Sequence, residues 1–409
     1  MTPGYKQTDA GVIPDDWDVK QLGELSSVSA GGTPSRSNAN YWGGDIPWIT
    51  TTEIDFRLIT ESEQFITSIG LKNSAAKLMP AGALLMALYG QGKTRGKVGV
   101  LGFEAATNQA CAAIILKEGY SREYAFHYLA SRYDEIRKLS NTGNQENLNG
   151  ALVRSIPVLL PPLSEQSAIA TALSDVDALL SSLDALIAKK RDIKQAAMQQ
   201  LLTGKTRLPG FEGEWTVKRL DQLANIRSGG TPSTTVSRFW DGGIPWCTPT
   251  DITRLGGGKY LLDTSRQITS EGLSNSSAEL IPANSVVMTS RATIGECAIN
   301  LKPVTTNQGF KNFVPFEDTE VNFLYYLLQT QKQGFIQLCA GSTFLEIGKT
   351  QLAAYKVHLP STKAEQSAIA EVLSDMDAEL AALEDRRDKT RLLKQGMMQE
   401  LLTGKTRLV

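Results

Sequence analysis

Two short stretches contain the residue types that bind phosphate in nucleotide-hydrolysing proteins. Gly-Lys-Thr stands at residues 92–94 and again at residues 204–206. A phosphate-binding loop also requires a glycine five residues before the first residue of that triplet, because the backbone there wraps closely around the phosphates. Ala87 and Gln199 occupy those positions. The sequence therefore does not predict a nucleotide site in either stretch.

An acidic segment near the N-terminus offers the carboxylates and the lysine that nucleases use. Pro14-Asp15 is followed by Asp18 and Lys20, but all of them stand in one short stretch, and the matching residues 214–218 lack the Pro-Asp pair. A turn before a strand is the better interpretation. The sequence also lacks the Asn-Pro-Pro-aromatic or Asp-Pro-Pro-aromatic motif of an amino-methyltransferase. We expect no catalytic residues in this chain.

The cysteines and histidines do not have the spacing of a metal site. No Cys-x-x-Cys occurs, and His127 and His358 are too far apart to form a local ligand motif. We therefore expect reduced, buried thiols and no metal ligands. The cysteines are Cys111, Cys247, Cys297 and Cys339.

Charge and hydropathy limit the function classes further. A net charge of −1 and a pI of about 6.3 argue against tight, independent binding to nucleic acid, since phosphate neutralisation normally requires a basic excess. Any grip on DNA must then be local or shared with partners. The sequence has no run of about 18 apolar residues and no charged-then-apolar leader. We expect a cytoplasmic protein without a membrane span.

The chain contains one unit built twice. Residues 165–170 recur unchanged at 365–370, and residues 201–208 recur at 401–408, both at an offset of 365 − 165 = 200. Gly-Gly-Thr-Pro-Ser at 31–35 is repeated at 229–233. A long period with two copies predicts the single-chain equivalent of a two-fold dimer rather than a solenoid.

The segment after each globular part has the pattern of a long helix. From Ser164 to Thr203 there is no Gly or Pro, and apolar residues such as Ile169, Val176 and Leu183 recur seven apart. The second copy predicts a helix over 365–403, with Gly204 and Gly404 as the glycines that follow each helix. Each helix should be roughly 60 Å long. An alternative is that each helix only covers its own globular part.

Together these patterns predict an α+β fold. Two globular α/β parts alternate with two long helices that pair as an antiparallel coiled coil, with internal pseudo-two-fold symmetry. An antiparallel pair needs no connection as long as the coil, whereas a parallel pair does. The predicted boundaries are residues 1–160 and 208–359 for the globular parts, and residues 161–207 and 360–409 for the helical segments.

Candidate binding residues lie in the Gly-Gly-Thr-Pro-Ser loops and in the loops where the two copies differ. The first loops could hold a phosphate through amides and hydroxyls, or could be plain turns. The Trp-x-x-x-Ile-Pro-Trp blocks at 42–48 and 240–246 are better explained as core. Asn108-Gln109 and Asn307-Gln308 are of the types that pair with adenine.

The copies differ most in two basic, glycine-rich loops. Residues 86–99 carry cations that the shorter segment 288–295 lacks, whereas residues 252–268 are longer than their counterpart. Arg95 could fork onto a guanine edge and Lys97 could contact phosphate; a merely solvated loop is the alternative. The candidate DNA-binding residues are Thr33, Ser35, Arg36, Lys93, Thr94, Arg95, Lys97, Thr231, Ser233, Thr234, Arg238, Arg254, Lys259, Arg291 and Thr293.

The whole pattern resembles the specificity subunit of a type I restriction-modification enzyme. The resemblance rests on Pro-Pro-Leu-Ser-Glu-Gln at 161–166, on Glu-Gln-x-x-Ile-Ala in both copies and on the two Thr-Gly-Lys-Thr-Arg-Leu blocks. It implies that each globular part is a target-recognition domain for half of an interrupted DNA site, and that the helices are a spacer and a docking surface. The subunit-docking residues it implies are Glu165, Gln166, Ile169, Glu365, Gln366 and Ile369.

The resemblance also implies the partners. They are double-stranded DNA, two modification subunits that bind S-adenosylmethionine and methylate adenine, and two restriction subunits that use ATP and Mg²⁺. This chain itself would hold no cofactor and supply only the choice of sequence. The alternative from another class is a two-fold coiled-coil scaffold that binds protein rather than DNA.

Overall fold

The computed structural model of the chain describes residues 4–90, 92–139, 147–339 and 346–408. The described residues fall into two compact units. Unit 1 comprises residues 1–184 and 385–409, and unit 2 comprises residues 185–384. Each unit therefore holds one globular part together with a portion of both long helices.

Unit 1 is built on short strands with buried apolar residues, capped helices and tight turns. Ser121 and Asn149 are side-chain caps of two of its helices. The elements are β1 (Tyr5–Thr8), β2 (Gly11–Pro14), β3 (Asp18–Gln21), α1 (Leu22–Leu25), β4 (Ser26–Ala30), β5 (Trp42–Ile49), β6 (Leu58–Ile59), β7 (Phe65–Ile66), α2 (Ser68–Lys72), β8 (Leu78–Met79), β9 (Leu84–Ala87), β10 (Val98–Leu101), β11 (Ala105–Thr107), β12 (Cys111–Leu116), α3 (Arg122–Ser131), α4 (Tyr133–Lys138), α5 (Gly150–Arg154) and β13 (Pro157–Leu160), with 3₁₀ turns at Ala39–Tyr41 and Thr51–Glu53.

The strands of unit 1 form two main sheets. One has the order β4-β12-β9-β10-β6, and β12 runs antiparallel to both β4 and β9. The other has the order β7-β5-β11-β8. β12 is apolar along its whole length and largely buried, as expected for the interior of a sheet that is covered on both faces. Smaller ladders join β1 to β2 and β13 to β3.

Unit 2 repeats the main sheets of unit 1. The long helices are α6 (Leu163–Leu201) and α12 (Lys363–Leu401). The other elements are β14 (Thr216–Arg219), β15 (Ala224–Ser228), β16 (Trp240–Cys247), α7 (Pro249–Arg254), β17 (Tyr260–Leu261), β18 (Arg266–Ile268), α8 (Ser270–Ser274), β19 (Ser285–Thr289), β20 (Cys297–Asn300), β21 (Thr305–Thr306), β22 (Phe310–Pro315), α9 (Val321–Thr330), α10 (Lys332–Leu338), α11 (Lys349–Ala353) and β23 (Lys356–Leu359), with 3₁₀ turns at Leu220–Gln222 and Ser237–Phe239. The strands form sheets with the orders β15-β22-β19-β20-β17, β18-β16-β21 and β14-β23.

The long helices match the predicted ranges within two residues, and their ends follow the sequence signals. α6 begins directly after Pro162, so Ser164 lies inside its first turn. Gly204 and Gly404 follow the last turns with φ values of 70° and 74°, in the left-handed region that favours glycine. No helix within the described parts of the chain is long and apolar enough to cross a membrane.

The two helices run antiparallel in each unit. In unit 1, Asp177 of α6 pairs with Lys394 at 2.6 Å, and Asp184, further along α6, pairs with the earlier Arg391 at 3.3 Å. In unit 2, the pairs are Lys190 with Glu379 at 2.6 Å and Lys194 with Asp377. The predicted antiparallel coiled coil is therefore confirmed.

Helix ends from different copies complete each core. In unit 1, Trp17 and Tyr124 of the globular part pack with Ile169 of α6 and with Leu401 and Leu402 at the end of α12. The side chains that do the same in unit 2 are Leu220, Tyr325, Ile369, Leu201 and Leu202. Each unit thus needs the start of one long helix and the end of the other.

A buried carboxylate fastens these helix ends together in unit 1. Glu165, at the start of α6, is 1% exposed. Arg407, beyond the end of α12, donates to it from Nε and Nη2, both at 2.7 Å. Trp17 Nε1 adds a third bond at 3.0 Å, and Arg407 also pairs with Asp16 at 2.8 Å. The bonds to Arg407 lower the pKa of Asp16.

Unit 2 contains the same ion pair, with the glutamate at the start of α12 and the arginine beyond the end of α6. Glu365, at the start of α12, is 3% exposed and accepts bonds from Arg207 Nε at 2.5 Å and Nη2 at 2.8 Å. Trp215 Nε1 donates to the same carboxylate at 3.2 Å. Each repeated glutamate accepts its hydrogen bonds from donors of its own chain, so it has an intramolecular structural role.

The burial of the repeated Glu-Gln-x-x-Ile segments bears on their predicted docking role. Gln166 accepts from the amide of Ser121, the cap of α3, at 3.0 Å, and Gln366 accepts from that of Glu320, the cap of α9, at 3.0 Å. This placement argues against docking, because buried side chains with internal partners present no surface to another subunit. The six side chains, all at most 4% exposed, are Glu165, Gln166, Ile169, Glu365, Gln366 and Ile369.

Replacing Glu165 with Ala should destabilise the protein by about 2 kcal/mol, because it leaves a buried indole N–H without an acceptor and removes the ion pair to Arg407. The measurement is the midpoint of urea unfolding followed by tryptophan fluorescence. Glu371→Ala, at an exposed position of α12, is the matched control and should shift the midpoint little. Equal effects of the two substitutions would contradict this role for Glu165.

A buried histidine joins α3 to α6. His127 is 2% exposed; its Nε2 lies 3.1 Å from Ser174 Oγ, and its Nδ1 lies 3.9 Å from an oxygen of Asp177. Burial lowers the pKa of His127 to about 4, and the charge of Lys394 acts in the same direction. The imidazole is therefore neutral in the folded protein at neutral pH.

His127 should make the protein less stable as the pH falls from about 6.5 to about 4. In that window the unfolded chain binds a proton at this residue and the folded chain does not. The loss between pH 7 and pH 4.5 should be on the order of 2 kcal/mol. Urea midpoints measured across this range should depend less on pH in His127→Gln than in the wild type. An unchanged dependence in His127→Gln would refute the assignment.

Candidate nucleic-acid interface

In unit 1, two candidate loops leave from one turn at residues 107–110. The amide of Gly32, in the Gly-Gly-Thr-Pro-Ser loop, donates to the carbonyl of Thr107 at 2.8 Å. The amide of Leu88, where the basic loop begins, donates to the carbonyl of Ala110 at 2.7 Å. Residues from distant parts of the sequence are therefore brought to the same edge of the unit.

In unit 2, the corresponding turn also holds two loops. The turn at residues 306–309 accepts bonds from the amides of Gly230 and Ser290, which open the corresponding loops. The donor–acceptor pairs are Gly230 to Thr306 at 2.8 Å and Ser290 to Gly309 at 2.7 Å. In both units the Gly-Gly-Thr-Pro-Ser loop and one variable loop therefore begin at the Asn-Gln turn.

The Asn-Gln side chains bond to neighbouring groups of their own unit. Asn108 Oδ1 accepts from the amide of Ala110 at 3.0 Å, and Gln109 bonds to the hydroxyl of Thr33. In unit 2, Gln308 bonds to Thr231 in the same way. These amides hold the turn and the Gly-Gly-Thr-Pro-Ser loop together, as expected for residues shared by two copies that differ elsewhere.

The paired glycines allow a close backbone approach. A Cβ added to Gly31 would lie 2.1 Å from the carbonyl oxygen of Thr107, and one added to Gly229 would lie 1.8 Å from that of Asn307. Any side chain at these positions would push the loop off the turn. The glycines therefore fix where the loop residues that follow them begin.

A bulge in β5 brings two tryptophans together. Trp42 and Ile46 both stand opposite Ile66, so residues between them loop out. Trp42 and Trp48 then meet edge to face, with ring centroids 5.0 Å apart. Trp48 Nε1 donates to the carbonyl of Gly32 at 2.9 Å, which ties the pair to the Gly-Gly-Thr-Pro-Ser loop. The tryptophans of these blocks belong to the hydrophobic core, as predicted.

The exposed end of that loop carries polar groups beside the tryptophans. Arg36 is exposed, and its Cζ lies 3.8 Å from the ring centroid of Trp42. Ser35 is also exposed, with its hydroxyl 2.8 Å from that of Ser37. In unit 2, the corresponding Ser233 and Thr234 are exposed as well. A stacked guanidinium next to hydroxyls is suited to an anionic ligand.

The basic loop of unit 1 contributes less to the surface than its sequence suggested. Lys93 is exposed and Thr94 half-buried, but Arg95 is 7% exposed and its Nη2 donates to the carbonyl of Arg137 at 3.2 Å. Lys97 pairs with Asp55 at 2.6 Å. Gln91 of this loop lies outside the described residues. The position of Arg95 argues against the predicted guanine contact, because its guanidinium is turned into the unit.

The long loop of unit 2 places its two cations differently. Arg254, at the end of α7, is exposed. Lys259 is 8% exposed and donates to Ser374 Oγ of α12 at 2.8 Å and to Tyr326 at 3.3 Å. It lines a cavity of about 750 Å³ next to the long helices, together with Lys194 and the adjacent glycines. Its burial argues against the predicted DNA contact.

Of the remaining candidates in unit 2, two arginines form ion pairs and one threonine is half-buried. Arg291 bonds to Glu346 at 2.9 Å, and Arg238 to Glu271 at 2.7 Å. Thr293 is half-buried in the short loop. Such exposed ion pairs are weak, so both arginines can exchange their carboxylate for a phosphate at small cost.

One residue of the site was not identified from the sequence. Arg266 of β18 is exposed, and its Cζ lies 3.8 Å from the ring centroid of Trp240. The sequence offers little signal for it, because a single arginine in a short strand is not distinctive. Only the strand register, which places it opposite Trp246, shows that it belongs to this site.

The fold and this site define a duplicated protein with one candidate binding edge in each copy, and comparison with known proteins names its family. The family model described as the type I restriction modification DNA specificity domain matches residues 14–190 and 212–392. The match spans more than half of the chain and occurs once in each copy. The chain therefore belongs to the type I restriction-modification DNA specificity family.

Named relatives agree with this assignment. The chain is 36% identical over 166 residues to the MjaIX specificity subunit of Methanocaldococcus jannaschii, an alignment that spans 40% of this chain and 38% of that subunit. It is 22% identical over 424 residues to the putative MjaX specificity subunit of the same organism, covering 99% of this chain and 97% of the other. It is 28% identical over 182 residues to the EcoR124I/EcoR124II specificity subunit of Escherichia coli, covering 43% of this chain and 45% of that subunit.

Solved structures share the fold along the whole chain. An S subunit of a type I restriction-modification system from M. genitalium superimposes with a TM-score of 0.60 at 15% identity, over 98% of this chain and 99% of that one. A chain from a study of complex assembly in the type I system has a TM-score of 0.61 at 18% identity, over 96% and 99% of the two chains. The predicted fold class and family are confirmed.

Arg95→Ala and Lys93→Ala should separate folding from binding. Arg95→Ala should lower stability by about 1–3 kcal/mol, because it removes a buried hydrogen bond and the packing of the side chain. Lys93→Ala should leave stability within about 0.5 kcal/mol and reduce the salt dependence of DNA binding. Urea unfolding and DNA titrations at several salt concentrations measure the two effects. If Arg95→Ala changes base preference at unchanged stability, Arg95 reads DNA after all.

Proposed function

We propose that this chain is the sequence-specific DNA-binding subunit of a type I restriction-modification complex. Each unit reads one half of an interrupted target, and the paired helices set the distance between the halves. The observation that carries the proposal is the recurrence in both units of one binding edge, built on the same turn, glycine loop and tryptophan pair, from which different loops project.

The candidate contacts divide into two kinds in this proposal. Thr33, Ser35, Thr231 and Ser233 belong to the loops that both units share, so they are suited to the DNA backbone, which has the same chemistry in every sequence. Base readers must lie where the units differ. The exposed members there are Lys93, Arg254 and Arg291.

The chain supplies sequence choice and no catalytic group. The chemistry then belongs to the partners, two modification subunits with S-adenosylmethionine and two restriction subunits with ATP and Mg²⁺. The nearly neutral net charge of −1 supports shared binding, since a subunit that binds DNA alone would need a larger basic excess. We place the complex in the cytoplasm, where its DNA target lies.

The modification subunits dock on exposed apolar side chains of the helices rather than on the buried glutamates and glutamines. In unit 2, Leu186 and Ile193 stand seven residues apart on α6 and are 39% and 43% exposed. In unit 1, Leu392 and Leu393 of α12 are 68% and 59% exposed. Exposed apolar groups of this size mark interaction surfaces when they cluster. No feature of the described residues favours the alternative of a scaffold that binds protein only.

Exchanging residues 1–150 for those of a relative with another target should change one half of the methylated sequence and leave the other unchanged. The physical reason is that each unit has its own turn, glycine loop and tryptophan pair. The donor segment must keep a tryptophan at position 17, because Trp17 bonds to Glu165. Methylome sequencing of cells that also express the modification subunit measures both halves together.

The reciprocal exchange of residues 208–359 is the matched control and should change the other half. A chimera that alters both halves at once would refute independent reading. A wild-type complex that methylates no defined sequence would refute the proposed function itself.

A further inference from the structure

Each unit holds the guanidinium of one arginine over a pair of tryptophans. In unit 1, Arg36 Cζ lies 3.8 Å from the ring centroid of Trp42 and 5.0 Å from that of Trp48. In unit 2, Arg266 Cζ lies 3.8 Å from Trp240 and 5.3 Å from Trp246. The rings themselves meet edge to face in both units, 5.0 Å and 4.9 Å apart.

The two arginines come from different positions of the repeat. Arg36 follows the Gly-Gly-Thr-Pro-Ser loop directly, and the matching residue in unit 2 is Thr234. Arg266 stands opposite Trp246 in the ladder between β16 and β18. The matching residue in unit 1 is Gln64, whose carbonyl accepts from the amide of Trp48 at 2.8 Å. The same cation site is therefore filled from a loop in one unit and from a strand in the other.

The tryptophans on which the arginines lie are held in place by hydrogen bonds from their indole N–H groups. Trp240 Nε1 donates to the carbonyl of Ser233 at 3.0 Å, and Trp246 Nε1 to that of Gly230 at 3.0 Å. In unit 1, Trp42 and Trp48 bond to Ser35 and Gly32 in the same way, at 3.1 Å and 2.9 Å. Each guanidinium thus rests on a platform that is fixed to the Gly-Gly-Thr-Pro-Ser loop.

The loop adds hydroxyls beside each platform. Ser233 Oγ lies 2.9 Å from Thr235 Oγ1, and both residues are exposed. Among the described residues, no carboxylate forms an ion pair with Arg36 or Arg266. A stacked guanidinium keeps its N–H edge free for a two-point contact with an oxyanion. Stacking also fixes the plane of the group before the ligand arrives, which reduces the ordering cost of binding.

We propose that Arg266, held on Trp240, contacts a DNA phosphate in the second half-site, and that Arg36, held on Trp42, does the same in the first. This assignment rests on the proposed function. A phosphate is favoured over a base edge because the two units hold the cation in one geometry although their variable loops differ. A contact that both units make alike is one that every DNA sequence offers.

The test uses the full chain assembled with its modification subunits and measures binding to target and random duplexes over a range of salt concentrations. Arg266→Ala should weaken both duplexes by the same factor and reduce the slope of log affinity against log salt by about one. The methylated sequence should stay the same. Arg219→Ala, which removes an exposed arginine on β14 outside the site, is the matched control and should leave the slope unchanged.

A second variant distinguishes a phosphate contact from a structural role. Arg266→Gln combined with Thr234→Arg moves the guanidinium to the position that Arg36 occupies in unit 1. Restoration of the salt slope by this double variant supports the proposal, because only the site of the charge has been kept. Thermal unfolding of each variant reports whether unit 2 is intact.

Other outcomes overturn the proposal. An unchanged salt slope in folded Arg266→Ala would mean that the arginine faces solvent, and relaxed preference at one base pair would make it a base reader. Both leave the proposed function standing, because the wild-type complex still methylates its defined sequence. If the wild-type complex has no sequence preference, the proposed function fails as well.

Discussion

The fold depends on the ion pair between a buried glutamate at the start of one long helix and an arginine beyond the end of the other. A carboxylate that is 1% exposed, as Glu165 is, needs hydrogen-bond donors and a positive charge beside it. Arg407 and Trp17 provide them, and Arg207 and Trp215 do so for Glu365. Each start of a helix must therefore meet the end of the other copy, and this condition requires the helices to run antiparallel.

That constraint explains why the globular parts can differ while the helical segments remain alike. The helix ends fill the base of each core with Leu401 and Leu402 or with Leu201 and Leu202, and the binding edge is formed by other elements. At that edge the Gly-Gly-Thr-Pro-Ser loop and the Asn-Gln turn hold each other by backbone bonds. One of the loops in which the copies differ, residues 88–97 in unit 1, begins from this frame.

The family match identifies the kind of protein, whereas the solved structures establish its fold. The family model matches both copies, which establishes what kind of protein this is. The solved structures, at 15% and 18% identity, establish the arrangement of elements and not the bases that are read. Exposure and charge favour Arg36, Lys93 and Arg266 over the buried Arg95 and Lys259 as candidates for contact with DNA.

The sequence by itself determined the duplication, the two long helices and the glycine loops, because each of these depends on local patterns: a repeat, a seven-residue period and a residue without a side chain. Only the tertiary structure decided which cations reach the surface. In the sequence, Arg95 and Lys259 cannot be told from the exposed cations of their loops. Their burial depends on partners far along the chain: Arg137 is 42 residues from Arg95, and Ser374 is 115 residues from Lys259. Arg266 joins Trp240 only through strand register. The role of Glu165 likewise depends on Arg407, 242 residues along the chain, and no local pattern encodes a contact at that distance.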